Sequence, residues 1–146
     1  MSAEGAGPPF ALRGLDHVVL RVRDAERAIA FYRDALGCRE ERRVDALGLI
    51  QLRAGSALID LVPVDRPLGR AGGAAPGEEG RNVDHFALRI EPFEPEALDA
   101  HLRACGAEIL GEPASRYGAE GQGPSLYVRD PDGNTVELKG PPEEPA

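Results

Sequence analysis

Two segments of the chain, residues 15–22 and 82–90, alternate apolar and polar side chains with the period of a β-strand. In each segment every second residue is apolar, so the apolar side chains share one face of the predicted strand. The opposite faces carry His17 in the first segment and His85 in the second. We therefore expect the apolar faces to pack against helices and the histidine faces to point away from them.

The two segments open the two copies of an internal repeat. Leu-Asp-His-Val-Val-Leu-Arg-Val aligns with Val-Asp-His-Phe-Ala-Leu-Arg-Ile at a constant offset, with Asp, His, Leu and Arg identical. Each copy continues into a helix-like stretch, 24–36 and 94–105, that ends at a glycine suited to a helix C-cap. Each copy closes with a strand that carries one carboxylate, Asp60 in the first and Glu137 in the second. The chain therefore reads as a duplicated strand–helix–strand–strand–strand unit.

This duplication predicts an α+β fold in which two βαβββ repeats form paired, curved, mixed sheets around a central metal-binding cleft. The linker between the repeats is dense in glycine and proline, which predicts neither helix nor strand there. The predicted single domain spans residues 10–140, with repeat one at 12–62, the linker at 63–80 and repeat two at 81–140. The remaining strands are predicted at 39–44, 47–53, 57–62, 107–110, 124–129 and 135–139.

Composition narrows the class of protein. Of 146 residues, 42% are hydrophobic and 29% charged, as in an ordinary globular domain. The formal charge of −8 argues against binding to nucleic acid or to an anionic membrane surface. No apolar run has the length of a membrane span. Residues 1–9 lack the features of a signal peptide. Residues 1–9 and 141–146 are expected to be flexible tails. Cys38 and Cys105 form no disulfide framework, which favours a cytoplasmic location, and both are expected to be small buried residues.

The histidine faces of the predicted sheets carry metal-binding residue types. His17, His85, Asp60 and Glu137 all fall there, because Thr135, Glu137 and Lys139 alternate with the apolar residues of the last strand. Imidazole and carboxylate together suit Fe, Mn, Co, Ni or Zn. A pseudo-twofold relation between the repeats would bring matched positions together, so we expect one divalent metal site in the cleft.

Each candidate also has a purely structural interpretation. A lone histidine on a strand is usually a packed or surface residue, although two at matched repeat positions favour metal binding. Asp60 is a candidate ligand, a support for a ligand, or an edge-strand charge, and aspartate is one methylene shorter than glutamate. His101, beside Arg103 on the second helix, is expected to be solvated. Arg21 and Arg89 share the histidine faces and are candidates for pairing with acidic neighbours.

Two longer motifs resemble a known superfamily. The opening of vicinal oxygen chelate proteins is similar to two stretches of this chain, Leu-Asp-His-Val-Val-Leu-Arg-Val-Arg-Asp and Ala-Ile-Ala-Phe-Tyr-Arg-Asp-Ala-Leu-Gly. Their closing hairpin is similar to a third stretch, Leu-Tyr-Val-Arg-Asp-Pro-Asp-Gly-Asn-Thr-Val-Glu-Leu. The resemblance covers about residues 12–140. It implies His17, His85 and Glu137 as metal ligands, and it places Asp60 where glyoxalase I-like members have a glutamate. It also implies a homodimer, with modules exchanged between chains in some members.

The resemblance implies a metal-dependent enzyme that chelates a small oxygenated substrate and catalyses isomerisation, a lyase reaction or epoxide opening. Asp60 is then the candidate proton-transfer base. Residues 116–127 are predicted as a glycine-rich loop whose Arg116, Tyr117 and Tyr127 are candidates for contact with the substrate. A metal-free small-molecule binding protein of the bleomycin resistance type is the main alternative. An extradiol dioxygenase is a further alternative, although only His101 remains as its acid–base histidine.

Overall fold

The computed structural model describes residues 7–145, and the other residues of the predicted tails lie outside this range. Repeat one comprises β1 (His17–Val22), α1 (Ala25–Ala30), β2 (Arg39–Val44), β3 (Leu49–Ala54) and β4 (Ala57–Pro63). A short helix, α2 (Pro67–Arg70), follows in the linker. Repeat two comprises β5 (Phe86–Arg89), α3 (Pro95–Ala104), β6 (Glu108–Gly118), β7 (Gly121–Arg129) and β8 (Thr135–Lys139).

The two repeats build two sheets of the same topology. The strand order is β1-β4-β3-β2 in one sheet and β5-β8-β7-β6 in the other. In each sheet the first and last strands of the repeat run parallel and the remaining neighbours run antiparallel. Val19 pairs with Asp60, and Ala87 pairs with Glu137, so the two carboxylates occupy the same position of the repeat. The predicted fold of paired βαβββ repeats is confirmed.

A single cluster of buried side chains joins the two repeats. It contains the apolar faces of both sheets, including Leu20 and Leu138, together with residues of both helices. The fully buried Tyr32 donates its hydroxyl to Asp130 Oδ2 at 2.7 Å, which ties repeat one to the turn after β7. The histidine-bearing faces alternate with these apolar faces, so both point away from the shared core.

Several local predictions need correction. The first helix is α-helical only over Ala25–Ala30, with Asp24 as its N-cap, and continues as a π-helical turn over Phe31–Ala35. Residues 116–127 are not a loop, because β6 extends to Gly118 and β7 begins at Gly121. The glycines here permit close packing: a Cβ on Gly123 would lie 2.6 Å from the Pro141 carbonyl oxygen.

The linker and the end of the chain are more structured than their composition indicates. Proline at the first turn supports α2, since that position requires no backbone N–H donor. Arg21 donates to the carbonyls of Gly69 and Ala74, both at 2.9 Å, and so holds the linker rather than pairing with acidic neighbours. A last short strand, β9 (Glu144–Pro145), pairs with β7.

Candidate metal centre

Repeat one forms a pair between His17 and Asp60. His17 begins β1, and its Nε2 atom lies 3.9 Å from Asp60 Oδ2 on the neighbouring strand β4. Asp60 is 5% exposed, and its other oxygen accepts a hydrogen bond from Gln51 Nε2 at 3.2 Å. Arg42 in turn donates to Gln51 Oε1 at 2.9 Å, which fixes the orientation of the amide. The repeat-one carboxylate is therefore held by a chain of side chains that crosses the sheet.

Repeat two forms the matching pair between His85 and Glu137. His85 directly precedes β5, and its Nε2 atom lies 3.3 Å from Glu137 Oε1 on β8. The His85 ring meets the Tyr127 ring edge to face, with centroids 5.4 Å apart. Glu137 is 7% exposed, and no side chain equivalent to Gln51 donates to it among the described residues. Its carboxylate thus faces the imidazole of His85.

An aspartate precedes each histidine and contacts its other ring nitrogen. Asp16 Oδ1 lies 2.7 Å from His17 Nδ1, and Asp84 Oδ2 lies 2.6 Å from His85 Nδ1. A carboxylate at Nδ1 favours the tautomer that carries a proton there, which leaves the Nε2 lone pair free for a metal. The Asp16 hydrogen bond raises the pKa of His17, and the charge of Asp60 raises it further. The repetition of Asp-His in the sequence was the available signal for these aspartates.

One chain does not bring the two pairs together. Within residues 7–145 no group of three or more histidine, cysteine, aspartate or glutamate side chains is arranged to hold a metal ion. The four predicted cleft residues His17, Asp60, His85 and Glu137 therefore do not form one such group within a single chain. The reason is the shared core, which joins the apolar faces of the two sheets and directs the two histidine faces away from it.

The predicted substrate-contact residues lie near the repeat-two pair. Arg116 lies over the Tyr127 ring, 4.7 Å from its centroid, and donates to Ser125 Oγ at 2.9 Å. Tyr127 links this arginine to His85. Tyr117 is 70% exposed at the end of β6. His101 lies apart, because its Nε2 atom contacts the Ala35 carbonyl oxygen at 2.9 Å.

A cavity of about 230 Å³ opens beside Glu137. Tyr117, Arg89 and Lys139 contribute to its lining. Arg89 forms the predicted acidic pair, with Glu120 Oε1 at 2.6 Å. Lys139 was not predicted as a site residue, although it is the only lysine in the chain and shares a strand face with Glu137. A larger cavity of about 690 Å³ lies between the helix ends of the two repeats and contains none of the candidate ligands.

The chain is similar in sequence and in overall fold to known proteins. Virulence protein STM3117 of Salmonella typhimurium is 29% identical over 129 residues, which cover 85% of this chain and 81% of that protein. Its crystal structure superposes with a TM-score of 0.69, covering 90% of this chain and 98% of that chain.

Two relatives have names that state an activity. Metallothiol transferase FosB of Shouchella clausii is 25% identical, with 87% of this chain and 80% of that protein covered. Lactoylglutathione lyase GLX1 of Arabidopsis thaliana is 30% identical over 88% of this chain, which spans only 45% of that plant protein.

The helices of residues 7–145 include none with the length and apolarity to cross a bilayer. The sequence model of the Glyoxalase/Bleomycin resistance protein/Dioxygenase superfamily matches residues 14–138, nearly all of the chain. Together with the paired βαβββ repeats and the structural similarity above, this match shows that the chain belongs to the Glyoxalase/Bleomycin resistance protein/Dioxygenase superfamily.

Proposed function

We propose that this protein is a metal-dependent enzyme of the glyoxalase type, which binds a small oxygenated substrate and catalyses isomerisation, a lyase reaction or epoxide opening. The observation that carries the proposal is the repeated pair of a histidine and a buried carboxylate. A lyase and a metallothiol transferase among the relatives support the same class. A cytoplasmic location agrees with the low cysteine content and remains part of the proposal.

The donor set fits a divalent first-row metal. His17, His85 and Glu137 are proposed as ligands, with Asp60 as a fourth ligand or as the base. Two imidazoles with oriented Nε2 atoms and two buried carboxylates match the ligands that Fe, Mn, Co, Ni or Zn accepts. When bound, such a metal supplies Lewis-acid stabilisation of negative charge on substrate oxygen atoms.

We further propose that a homodimer assembles the site. Each chain presents two half-sites on faces that point away from its shared core, and in the proposed dimer repeat one of one protomer meets repeat two of its partner. His17 and His85 side chains are 45% and 35% exposed in the single chain. Three exposed apolar residues, Phe10, Leu12 and Leu15, precede β1 in the chain and present apolar surface to solvent. A second copy would cover this surface and complete the ligand set.

Asp60 is the proposed proton-transfer base. Gln51 donates to one of its oxygens, while the other faces His17. The amide and Arg42 hold the carboxylate in one orientation, as a base must be held near the carbon that loses its proton. Arg116, Tyr117 and Tyr127 are proposed to contact the substrate from the other half-site.

The experiment that tests the proposal measures metal content in the purified protein and in its His17→Ala and Glu137→Ala variants. We expect stoichiometric first-row metal in the parent and loss of metal in both variants. Failure to bind Fe, Mn, Co, Ni or Zn after reconstitution would leave the metal-free binding protein as the surviving function. An extradiol dioxygenase would need His101 as its acid–base histidine. Because His101 Nε2 is hydrogen-bonded to the Ala35 carbonyl oxygen, away from the candidate ligands, this alternative is disfavoured.

A heterodimer of the two variants tests where the site is assembled. If each site combines repeat one of one chain with repeat two of the other, one of the two sites in the heterodimer has every ligand intact. We therefore expect the tagged, purified heterodimer to regain about half of the parent metal content. A site built within one chain predicts no recovery, because every chain carries one defect.

A further inference from the structure

Lys139 is a buried lysine whose ammonium group donates hydrogen bonds to backbone carbonyl oxygens. It lies on β8, is 8% exposed, and donates from Nζ to the carbonyl oxygens of Arg116 at 2.7 Å and Gly123 at 2.8 Å. Among residues 7–143, no carboxylate forms an ion pair with its ammonium within 4.0 Å. Burial of an uncompensated charge is costly, so retention of a positive group here requires an explanation.

Lys139 lines the same cavity as Glu137. The two residues are separated by one residue on β8 and project from the same face, so their Cα atoms lie about 6.6 Å apart. An ammonium carries three donors, and the carbonyls of Arg116 and Gly123 accept two hydrogen bonds from it. One donor is therefore left for a ligand in the cavity.

The other cation of this cavity is already neutralised. Arg89 contacts Glu120 Oε1 at 2.6 Å and Glu91 Oε1 at 3.3 Å, and Glu120 itself lines the cavity. Among residues 7–143, Lys139 is thus the cation of the cavity wall that forms no ion pair with a carboxylate. This contrast within one cavity directs an added anion to Lys139 and not to Arg89.

The hairpin of β6 and β7 is shaped around the lysine. A Cβ on Gly118 would lie 2.7 Å from Lys139 Cε, so any larger residue at this position would displace the side chain. Glycine at position 118 lets the hairpin close against the aliphatic stem of Lys139.

We propose that Lys139 binds an oxyanion, a carboxylate, phosphate or phosphonate group, in the cavity beside Glu137. The inference rests on the proposed function for its consequence: the substrate carries an anionic group that binds in the cavity beside the Glu137 carboxylate. In the single chain this cavity has a volume of about 230 Å³.

Because Lys139 is the only lysine, labelling with ¹³C,¹⁵N-lysine yields one side-chain signal that reports this site directly. The experiment adds inorganic phosphate to the metal-free full-length protein at constant ionic strength set with chloride. We expect a saturable change of the Lys139 Cε and Nζ shifts. Chloride alone at the same ionic strength must leave both shifts unchanged.

Variants separate binding from folding. We expect Lys139→Gln to weaken phosphate binding, measured by calorimetry, at least about tenfold, and Lys139→Arg to retain part of it. Glu137→Gln should strengthen binding in the metal-free protein, because it removes the negative charge from the same cavity. Arg103→Gln, which removes an exposed helical cation paired with Asp99, is the matched control and should change nothing. If Lys139→Gln does not fold, Gly118→Ala replaces it and should weaken binding by displacing the lysine.

The outcomes distinguish this inference from the proposed function. Stoichiometric metal with no Lys139 response to phosphate overturns the oxyanion site and leaves the metal site standing. A phosphate response that Lys139→Gln and Gly118→Ala abolish, in a protein that binds no metal, supports the oxyanion site and overturns the metal enzyme. Equal phosphate affinity in the parent and in Lys139→Gln contradicts the inference in either case.

Discussion

The two repeats share strand order and register but surround their carboxylates differently. Asp60 lies 3.9 Å from His17 and accepts a hydrogen bond from Gln51. Glu137 lies 3.3 Å from His85 and borders a cavity. The duplicated backbone therefore provides two equivalent positions, while side-chain length and neighbours make them unequal. The comparison favours the proposal in which Glu137 is a metal ligand and Asp60, oriented by Gln51, is the proton-transfer base.

The largest expected effect is a loss of free energy of unfolding, and it compares the contributions of the two repeats to stability. Leu20 is fully buried, whereas its repeat equivalent Leu88 is only partly buried. We expect Leu20→Ala to lower the free energy of unfolding by about 3 kcal/mol, and Leu88→Ala by about half as much, because less apolar surface returns to water. Urea denaturation of both variants at one protein concentration measures this difference. Equal losses would show that the two repeats support the core equally.

The strand faces could be predicted from the sequence because alternation is a local property. Leu20 and Leu138 pack inward, as their apolar spacing indicates. The separation of His17 from His85 could not be predicted, because the same alternation allows the histidine faces to meet or to point apart. That choice depends on how the repeats pack through Tyr32 and the helices. The length of β6 was missed because glycines needed for close packing resemble those of a loop.

The next effect concerns the carboxylate of repeat one. Gln51→Leu removes the hydrogen bond to Asp60 and leaves Arg42 without its amide acceptor. We expect activity with an identified substrate to fall about tenfold, as for residues that orient catalytic groups, while metal content stays near the parent value. Activity measured across pH, together with metal content, separates loss of the base from loss of the metal. The Gln51→Glu variant should also have reduced activity, since it places a second carboxylate beside Asp60.

Gln122→Leu is a matched control for this variant. Gln122 is another glutamine on a strand, but it donates to Ser115 Oγ at 3.1 Å and not to a candidate site residue. Its replacement should leave both activity and the pH profile unchanged. If Gln51→Leu loses metal in proportion to its activity, Asp60 serves as a ligand and the division of roles between the repeats is wrong.

A smaller effect concerns the protonation of the repeat-one histidine. The Asp16 hydrogen bond and the charge of Asp60 raise the pKa of His17 above 6.5 in the folded protein. This raised pKa stabilises the folded state fully below pH 6.5, and the contribution disappears as pH rises through the folded pKa. Protons also compete with a metal at Nε2, so metal affinity should rise with pH across the same range.

Asp16→Asn removes the larger cause and should lower the pKa of His17 in the metal-free protein. Proton NMR of the ring measures the change, and the remaining charge of Asp60 should keep part of the elevation. Asp84→Asn alters the equivalent aspartate of repeat two, which contacts His85, and should leave His17 unaffected. An unchanged His17 pKa in Asp16→Asn would show that Asp60 dominates this half-site.

The smallest effect on the folded protein concerns the two cysteines, which follow the helices at nearly matching places. Cys38 is 5% exposed, and burial raises its pKa to about 11, whereas Cys105 is exposed at the end of α3. The expectation that both are buried is therefore wrong for Cys105, which lies at the helix end with its Sγ 3.5 Å from the Asp34 carbonyl oxygen. We expect Ellman's reagent to modify Cys105 at least about a hundredfold faster than Cys38, since access and thiolate formation both favour it. Cys105→Ser should abolish the fast phase and Cys38→Ser should preserve it, whereas two equal rates would contradict the difference in exposure between the two cysteines.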